Sequence, residues 1–199
     1  MLMKFLKDKS YDIVKMLINQ IGISIFSLVL YTAAGLIWEI DLYLSVFAII
    51  FYAALIYTAA WDMGAQDRIR IDSGKLRANP FRGAAVAGIA NIPNAVLIIL
   101  AIIFISSHLS SGAEGAYTAF AIVNLIFRLA CAMYIGVLTA IFPVEMVDQT
   151  ITLAGKEAYL YQSIGYLVCL IIPIAMSAIG YYLGTKNRRI FNRTVSPTR

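Results

Sequence analysis

The sequence predicts an all-α fold: a polytopic helical membrane bundle of four to five transmembrane helices, forming one integral membrane domain over residues 1–199. Three observations predict it. The chain is 61% apolar and 14% charged, whereas soluble domains hold about 45–50% and about 25%. Apolar runs of about 20 residues, long enough for a hydrocarbon core of about 30 Å, recur along its length. The basic residues gather at the ends of those runs, which is a topology signal. They lack the interleaved surface aromatics of a single-strand groove, so nucleic acid is not an expected partner. The bilayer is, and anionic lipid headgroups suit the basic ends.

Each element follows in order. Residues 1–15 set Lys4, Lys7, Lys9 and Lys15 among Met1, Leu2, Met3, Phe5 and Leu6, an amphipathic lead-in expected at the inner interface. Residues 16–38 form the first span, which continues past Thr32-Ala33-Ala34 and is expected to stay uncleaved. Asn19 and Gln20 lie near its start. The turn at 39–41 has no Lys or Arg and suits the outer side. The second span covers 42–61 and ends on Trp61, an interface anchor.

Residues 62–83 read as a basic cytoplasmic loop. Arg68, Arg70, Lys75, Arg77 and Arg82 face Asp62, Asp67 and Asp72, and Gly64 suits a tight turn. Solvated pairs of Asp62 and Asp67 with Arg68, Arg70 or Arg82 are expected there. The third segment, 83–105, opens with small residues and breaks at Asn91-Ile92-Pro93-Asn94, because proline removes a donor and clashes with the preceding turn. A Ser/Gly loop holding His108 leads to the fourth segment, 116–142, with Asn124 and Arg128 near its middle. Residues 143–162 are polar. The last span, 163–183, carries the helix-association pattern Gly180-Tyr-Tyr-Leu-Gly184. The tail, 184–199, holds Lys186, Arg188, Arg189, Arg193 and Arg199 without an acid.

Charge decides the threading. Five crossings would strand the basic tail opposite the N-terminus. An even number puts both termini and the 62–83 stretch on the cytoplasmic face, leaving only Arg128 and Lys156 elsewhere among the 16 basic residues. One middle segment must then enter without crossing. The fourth, with Arg128 at its centre, is the first candidate, and the third, broken at Pro93, is the second. Five plain spans are the alternative.

Arg128 asks most for a function. An arginine in mid-membrane costs roughly 2.5–3.5 kcal/mol on insertion scales, so it needs a partner. No Asp or Glu lies inside an apolar run. The expected partners are Asn124 one turn away, Asn91, Asn94, backbone carbonyls or a bound anion, and these four residues form the candidate ligand site. The helix restarting after Pro93 could also present its N-terminus to an anion. The competing reading is a structural arginine and an ordinary proline kink. No catalytic or metal-binding motif is present and no cofactor is implied. Cys131 and Cys169 lie in apolar runs, as small buried residues do.

The stretches WDMGAQDRIR, GAAVAGIANIP and GYYLG before a basic tail resemble small polytopic membrane proteins of Gram-positive bacteria that carry no assigned function. The resemblance implies a bacterial plasma membrane and no mechanism. Two functions follow from the residues. The first is a non-enzymatic accessory or assembly subunit, meeting other membrane subunits or further copies of itself. The alternative is a transporter or channel subunit for a small anionic or amphipathic ligand centred on Arg128.

Overall fold

The computed structural model describes residues 2–34, 41–77, 79–147 and 150–188. In chain order these form α1 (Leu2–Ala34), α2 (Asp41–Asp72), α3 (Arg82–Ala90), α4 (Ile92–Ser111), α5 (Glu114–Ala130), a 3-10 turn (Ala132–Tyr134), α6 (Ile135–Ile141), α7 (Leu153–Cys169) and α8 (Ile171–Thr185). Met146–Val147 and Thr150–Ile151 pair as a minimal antiparallel ladder before α7. Four stretches are long and apolar enough to cross a membrane: Phe5–Ala33, Asp41–Asp72, Ile92–Ser111 and Leu153–Thr185. A fifth, α5 with α6, bends by 91° at its break.

Contacts fix the direction of each helix. α1 and α2 are antiparallel, with Lys9 on Asp67 at one end and Tyr31 beside Asp41 at the other. α8 runs parallel to α2, because Gly180 lies against Tyr57 and Ala60 while Gly184 lies against Trp61 and Ala65. α3 starts at the Asp67 end, where Arg82 reaches that carboxylate. The far end of α4 meets the start of α7 through His108 and Lys156. Both described chain ends therefore lie at one end of the bundle, here called the basic end.

The α5–α6 unit returns to the side from which it came. α5 starts beside His108, and Phe142, just after α6, accepts a hydrogen bond from Gln162, less than two turns along α7 from Lys156. The middle segment thus turns back toward the end from which it starts, and four apolar stretches besides this bent pair are long enough to cross among the described residues. Its tip is irregular: Cys131 has φ −123° and ψ 34°, followed by the 3-10 turn. Irregular backbone at membrane depth must be covered by protein, and here it is. Ser24 of α1 donates to the Ala130 carbonyl at 2.6 Å, and Ser45 of α2 donates to the Met133 carbonyl at 2.5 Å. The Gly136 amide donates to the Tyr31 hydroxyl at 2.8 Å. A side chain at Gly136 would collide with the Asp41 carbonyl. In α8, Pro173 has no amide to offer the Cys169 carbonyl four residues back, and the Tyr134 hydroxyl takes its place at 3.4 Å.

Three boundaries differ from the sequence reading. α2 continues as helix through Asp72, so most of 62–83 is not a loop; among the described residues only 73–77 and 79–81 lie between the helices. The reason is burial: Met63, Gly64 and Asp67 form one helical face against the bundle. Gly64 makes no turn but lets the α8 backbone approach at Tyr181. Residues 2–15, expected as a lead-in ahead of the first span, are continuous with it in α1, and Lys9 is buried. The last span begins ten residues before the expected 163, at Leu153, since Thr152 Oγ1 accepts the Gly155 amide at 3.0 Å and caps α7. Residues 35–40, with the expected end of the first span and most of the turn after it, lie outside the described residues, as do 189–199 of the tail.

At the basic end four helices share one carboxylate. Asp67 Oδ1 accepts from Lys9 Nζ at 3.0 Å, and Oδ2 accepts from Arg82 at 3.3 Å and from the Tyr181 hydroxyl at 3.0 Å. Asp12 adds a second acid to Lys9 at 3.2 Å. The Asp67 and Lys9 side chains are 1% and 4% exposed, so this is a buried ion pair and not a surface one. Removing one member of such a set leaves uncompensated charge and costs about 3–5 kcal/mol. Asp67→Ala should therefore lower the melting temperature sharply in detergent, whereas Asp72→Ala, which loses only the exposed pair with Arg68, should shift stability by at most about 1 kcal/mol. Equal melting of the two variants would refute the buried-network assignment.

Candidate functional site

The site lies between α5 and α7 at the end of the bundle opposite the basic one. Local chemistry sets both helices. Gly112, at φ 68°, takes the left-handed conformation that ends α4, and its amide donates to the His108 carbonyl at 2.8 Å. The chain then turns around the His108 ring. Its Nδ1 faces the Ala113 carbonyl at 3.0 Å and its Nε2 faces Lys156 Nζ at 2.9 Å. A carbonyl only accepts and an ammonium only donates, so the neutral ring carries its proton on Nδ1. This brings α5 down beside α4 and leaves a gap toward α7.

Two helical rows line the gap. From α5 come Tyr117, Phe120, Ala121, Asn124, Leu125 and Arg128, and Tyr159 closes it from α7, enclosing a groove of about 370 Å³. Ring contacts run down it: Lys156 over Tyr117 at 5.0 Å, Tyr117 to Phe120 at 6.0 Å, Phe120 to Tyr159 at 5.6 Å, and the Arg128 guanidinium over Tyr159 at 5.3 Å. Each cation is thus seated on an aromatic face. Arg128 belongs to the last turn of α5, not to the centre of a spanning helix. Helical side chains lean toward their own N-terminus, so the guanidinium climbs back toward the His108 end.

Arg128 Nη2 donates to Gln162 Oε1, and Gln162 Nε2 donates to the Phe142 carbonyl at 2.6 Å. The two contacts fix the amide's orientation, since only the carbonyl side can face the guanidinium. Gln162 thereby joins α5, α7 and the return of the re-entrant unit. Among the described residues no carboxylate pairs with Arg128. Its Nε is buried without a hydrogen bond, and so is the hydroxyl of Tyr166, which packs edge-on against Phe127 of α5.

No known protein family, curated protein or solved structure matches this chain. The site must be argued from its own geometry. Of the four residues singled out in the sequence, Arg128 and Asn124 share the groove lining. Asn91 and Asn94 lie at the α3–α4 break, where Asn91 Nδ2 donates to the Ala87 carbonyl at 2.9 Å and Asn94 Nδ2 to Asn91 Oδ1 at 3.4 Å. Backbone bonds continue across that break, from Asn91 to Ala87 and from Ala95 to Asn91. Gln162, Tyr159 and Lys156 escaped the sequence reading because 143–162 looked like a polar connection. Lys156, Tyr159 and Gln162 recur every three residues, close to the helical repeat, and that was the signal available.

Replacing Gln162 tests the tie. Gln162→Leu leaves the Phe142 carbonyl and the guanidinium each short of a partner, at about 1–3 kcal/mol per orphaned group. The variant should melt well below wild type, and a thermal unfolding curve unchanged by the substitution would remove Gln162 from this role.

Proposed function

We propose that the protein is a non-enzymatic membrane receptor or carrier subunit that takes an anionic amphiphile into the α5–α7 groove, its acidic group on Arg128 and its apolar part against Ala121 and Leu125. The observation that carries this reading is the uncompensated cation. Arg128 is membrane-embedded, its only hydrogen-bond partner among the described residues is the neutral Gln162, and its Nε is buried without a bond. Balancing such a charge is worth several kcal/mol to a bound anion. Lys156 sits about 9 Å higher along α7, six residues at about 1.5 Å each, and offers a second cation at the groove mouth. The aromatic walls between them suit an acyl chain or a flat apolar body.

The same reading sets the orientation. The basic end, with Lys9, Arg68, Arg70 and Arg82, faces the cytoplasm of a bacterial cell by the positive-inside rule, and the groove opens in the outer leaflet. Ser73 and Ser110 are exposed at opposite ends. Ser73→Cys should react with a membrane-impermeant maleimide only after permeabilisation, and Ser110→Cys should react in intact cells. The reverse pattern would invert the topology.

Ligand binding is tested by melting the purified protein with phosphatidylglycerol or phosphatidylcholine added. The anionic lipid should raise the wild-type melting temperature more than the zwitterionic one. Arg128→Leu should fold and lose that difference, since removing the charge also removes its desolvation cost. Arg128→Lys keeps the charge, loses the planar fork, and should retain only part of it. If the two lipids act equally on wild type, or if Arg128→Leu keeps the full difference, the reading fails.

A further inference from the structure

A second groove lies between α1 and α2, lined by Ile18, Asn19, Gly22, Phe26, Phe51 and Leu55, with a volume of about 330 Å³. It shares no lining residue with the Arg128 groove. Its walls are lipid-facing hydrocarbon: Ile18 is 62% exposed, Phe26 39% and Phe51 44%. Asn19 is the exception. It lies one turn, about 6 Å, beyond the exposed Lys15–Asp62 pair toward the middle of the apolar span, among side chains that bring it neither donor nor acceptor.

Several neighbouring polar side chains on α1 and α2 have partners within the chain. Thr58 donates to the Ala54 carbonyl at 2.8 Å, Ser27 to Ile23 at 2.8 Å, and Gln20, on the buried side of α1, faces the Cys131 thiol at 3.7 Å. Asn19 makes no hydrogen bond within the chain among the described residues. One turn on, the position a Cβ would occupy at Gly22 meets nothing within 4 Å, so a partner backbone can approach closely there.

We infer that this α1–α2 face is where a second copy of the chain docks, around a twofold axis along the membrane normal, with the two Asn19 amides exchanging hydrogen bonds. Lipid tails bring neither donor nor acceptor to the amide. A carboxamide carries both and is its own complement. Copies inserted in the same orientation have parallel α1 helices, so on such an axis Asn19 meets its counterpart at the same depth. Gly22 then admits the close approach, and Phe26 and Phe51 pack at the flank on the outer side. The contact is isologous and closes at two copies.

The full chain, reconstituted in phosphatidylcholine vesicles over a range of protein densities, is read by single-molecule photobleaching. Wild type should bleach mostly in two steps. Asn19→Leu should need about tenfold higher density to dimerise, the effect of one interhelical polar pair. Asn19→Gln should stay close to wild type, and Gly22→Leu should dissociate like Asn19→Leu. All three variants should melt as wild type, because neither side chain makes a bond within the chain. Oxidation of Asn19→Cys should give a covalent dimer, whereas Val96→Cys on α4, also lipid-facing, should not. Single-step bleaching of wild type at every density, or undiminished dimers of Asn19→Leu, would overturn the proposal. So would monomers of Asn19→Leu with a lowered melting temperature and no Asn19→Cys dimer, which would show an intrachain role.

Discussion

A backbone that turns round inside a membrane leaves amides and carbonyls with no water to take them, and this structure is built around satisfying one such turn. The tip between α5 and α6 frees the Ala130 and Met133 carbonyls and the Gly136 amide. Each is met by a hydroxyl from the α1–α2 hairpin: Ser24, Ser45 and Tyr31. Each unmet group would cost several kcal/mol in hydrocarbon. The hairpin is therefore more than a neighbour of the re-entrant unit; it is the surface that makes the turn permissible. The hydrophobic effect is of little use in placing these helices, because lipid tails are as apolar as their side chains. Polar capture and close packing take over that task.

The basic end follows the same logic with charges in place of hydroxyls. Asp67 draws Lys9, Arg82 and Tyr181 from three other helices onto two oxygens. Around it the helices come unusually close, because Gly64, Gly83, Gly180 and Gly184 each leave out a side chain that would strike a neighbouring helix. Ser177 then donates to the Gly83 carbonyl at 2.8 Å. α2, α3 and α8 are thereby locked at one end. At the other end α5 leans on α4 and leaves α7 at arm's length, bridged by rings and by Gln162. The groove exists because the tight end and the loose end of the bundle are different.

Much of this was legible in the residues. Charge counting favoured an even number of crossings and made the Arg128 segment the first candidate for entering without crossing; in the structure that segment bends by 91° and its return meets α7 near the end where it starts. The Gly180–Gly184 pattern marked a helix contact, which proves to be with α2 in the same chain. What was not legible is instructive. Ser24 and Ser45 sit in apolar runs where serine reads as merely small, and nothing local announces the carbonyls they serve. Asp67 and Lys9 look like surface charges because each lies beside other charges in sequence; their burial depends on three further helices arriving. The break at Cys131 has no proline or glycine to announce it. Of the candidate site, Arg128 and Asn124 could be found from their chemistry, whereas Gln162 left only the faint helical repeat it shares with Lys156 and Tyr159, because its role depends on where a distant helix begins.

The two halves of the argument about Arg128 meet in its direction. On a helix descending from the His108 end, an arginine leans back up the way it came, and the guanidinium stops over Tyr159 instead of continuing to the tip. A purely structural arginine at a re-entrant turn has the freed carbonyls of that turn as its obvious partners. Here Ser24 and Ser45 already occupy them, and the arginine faces a glutamine and an open groove. The hydroxyls do the work of the cation at the tip, which leaves the cation available for something that arrives from outside the chain.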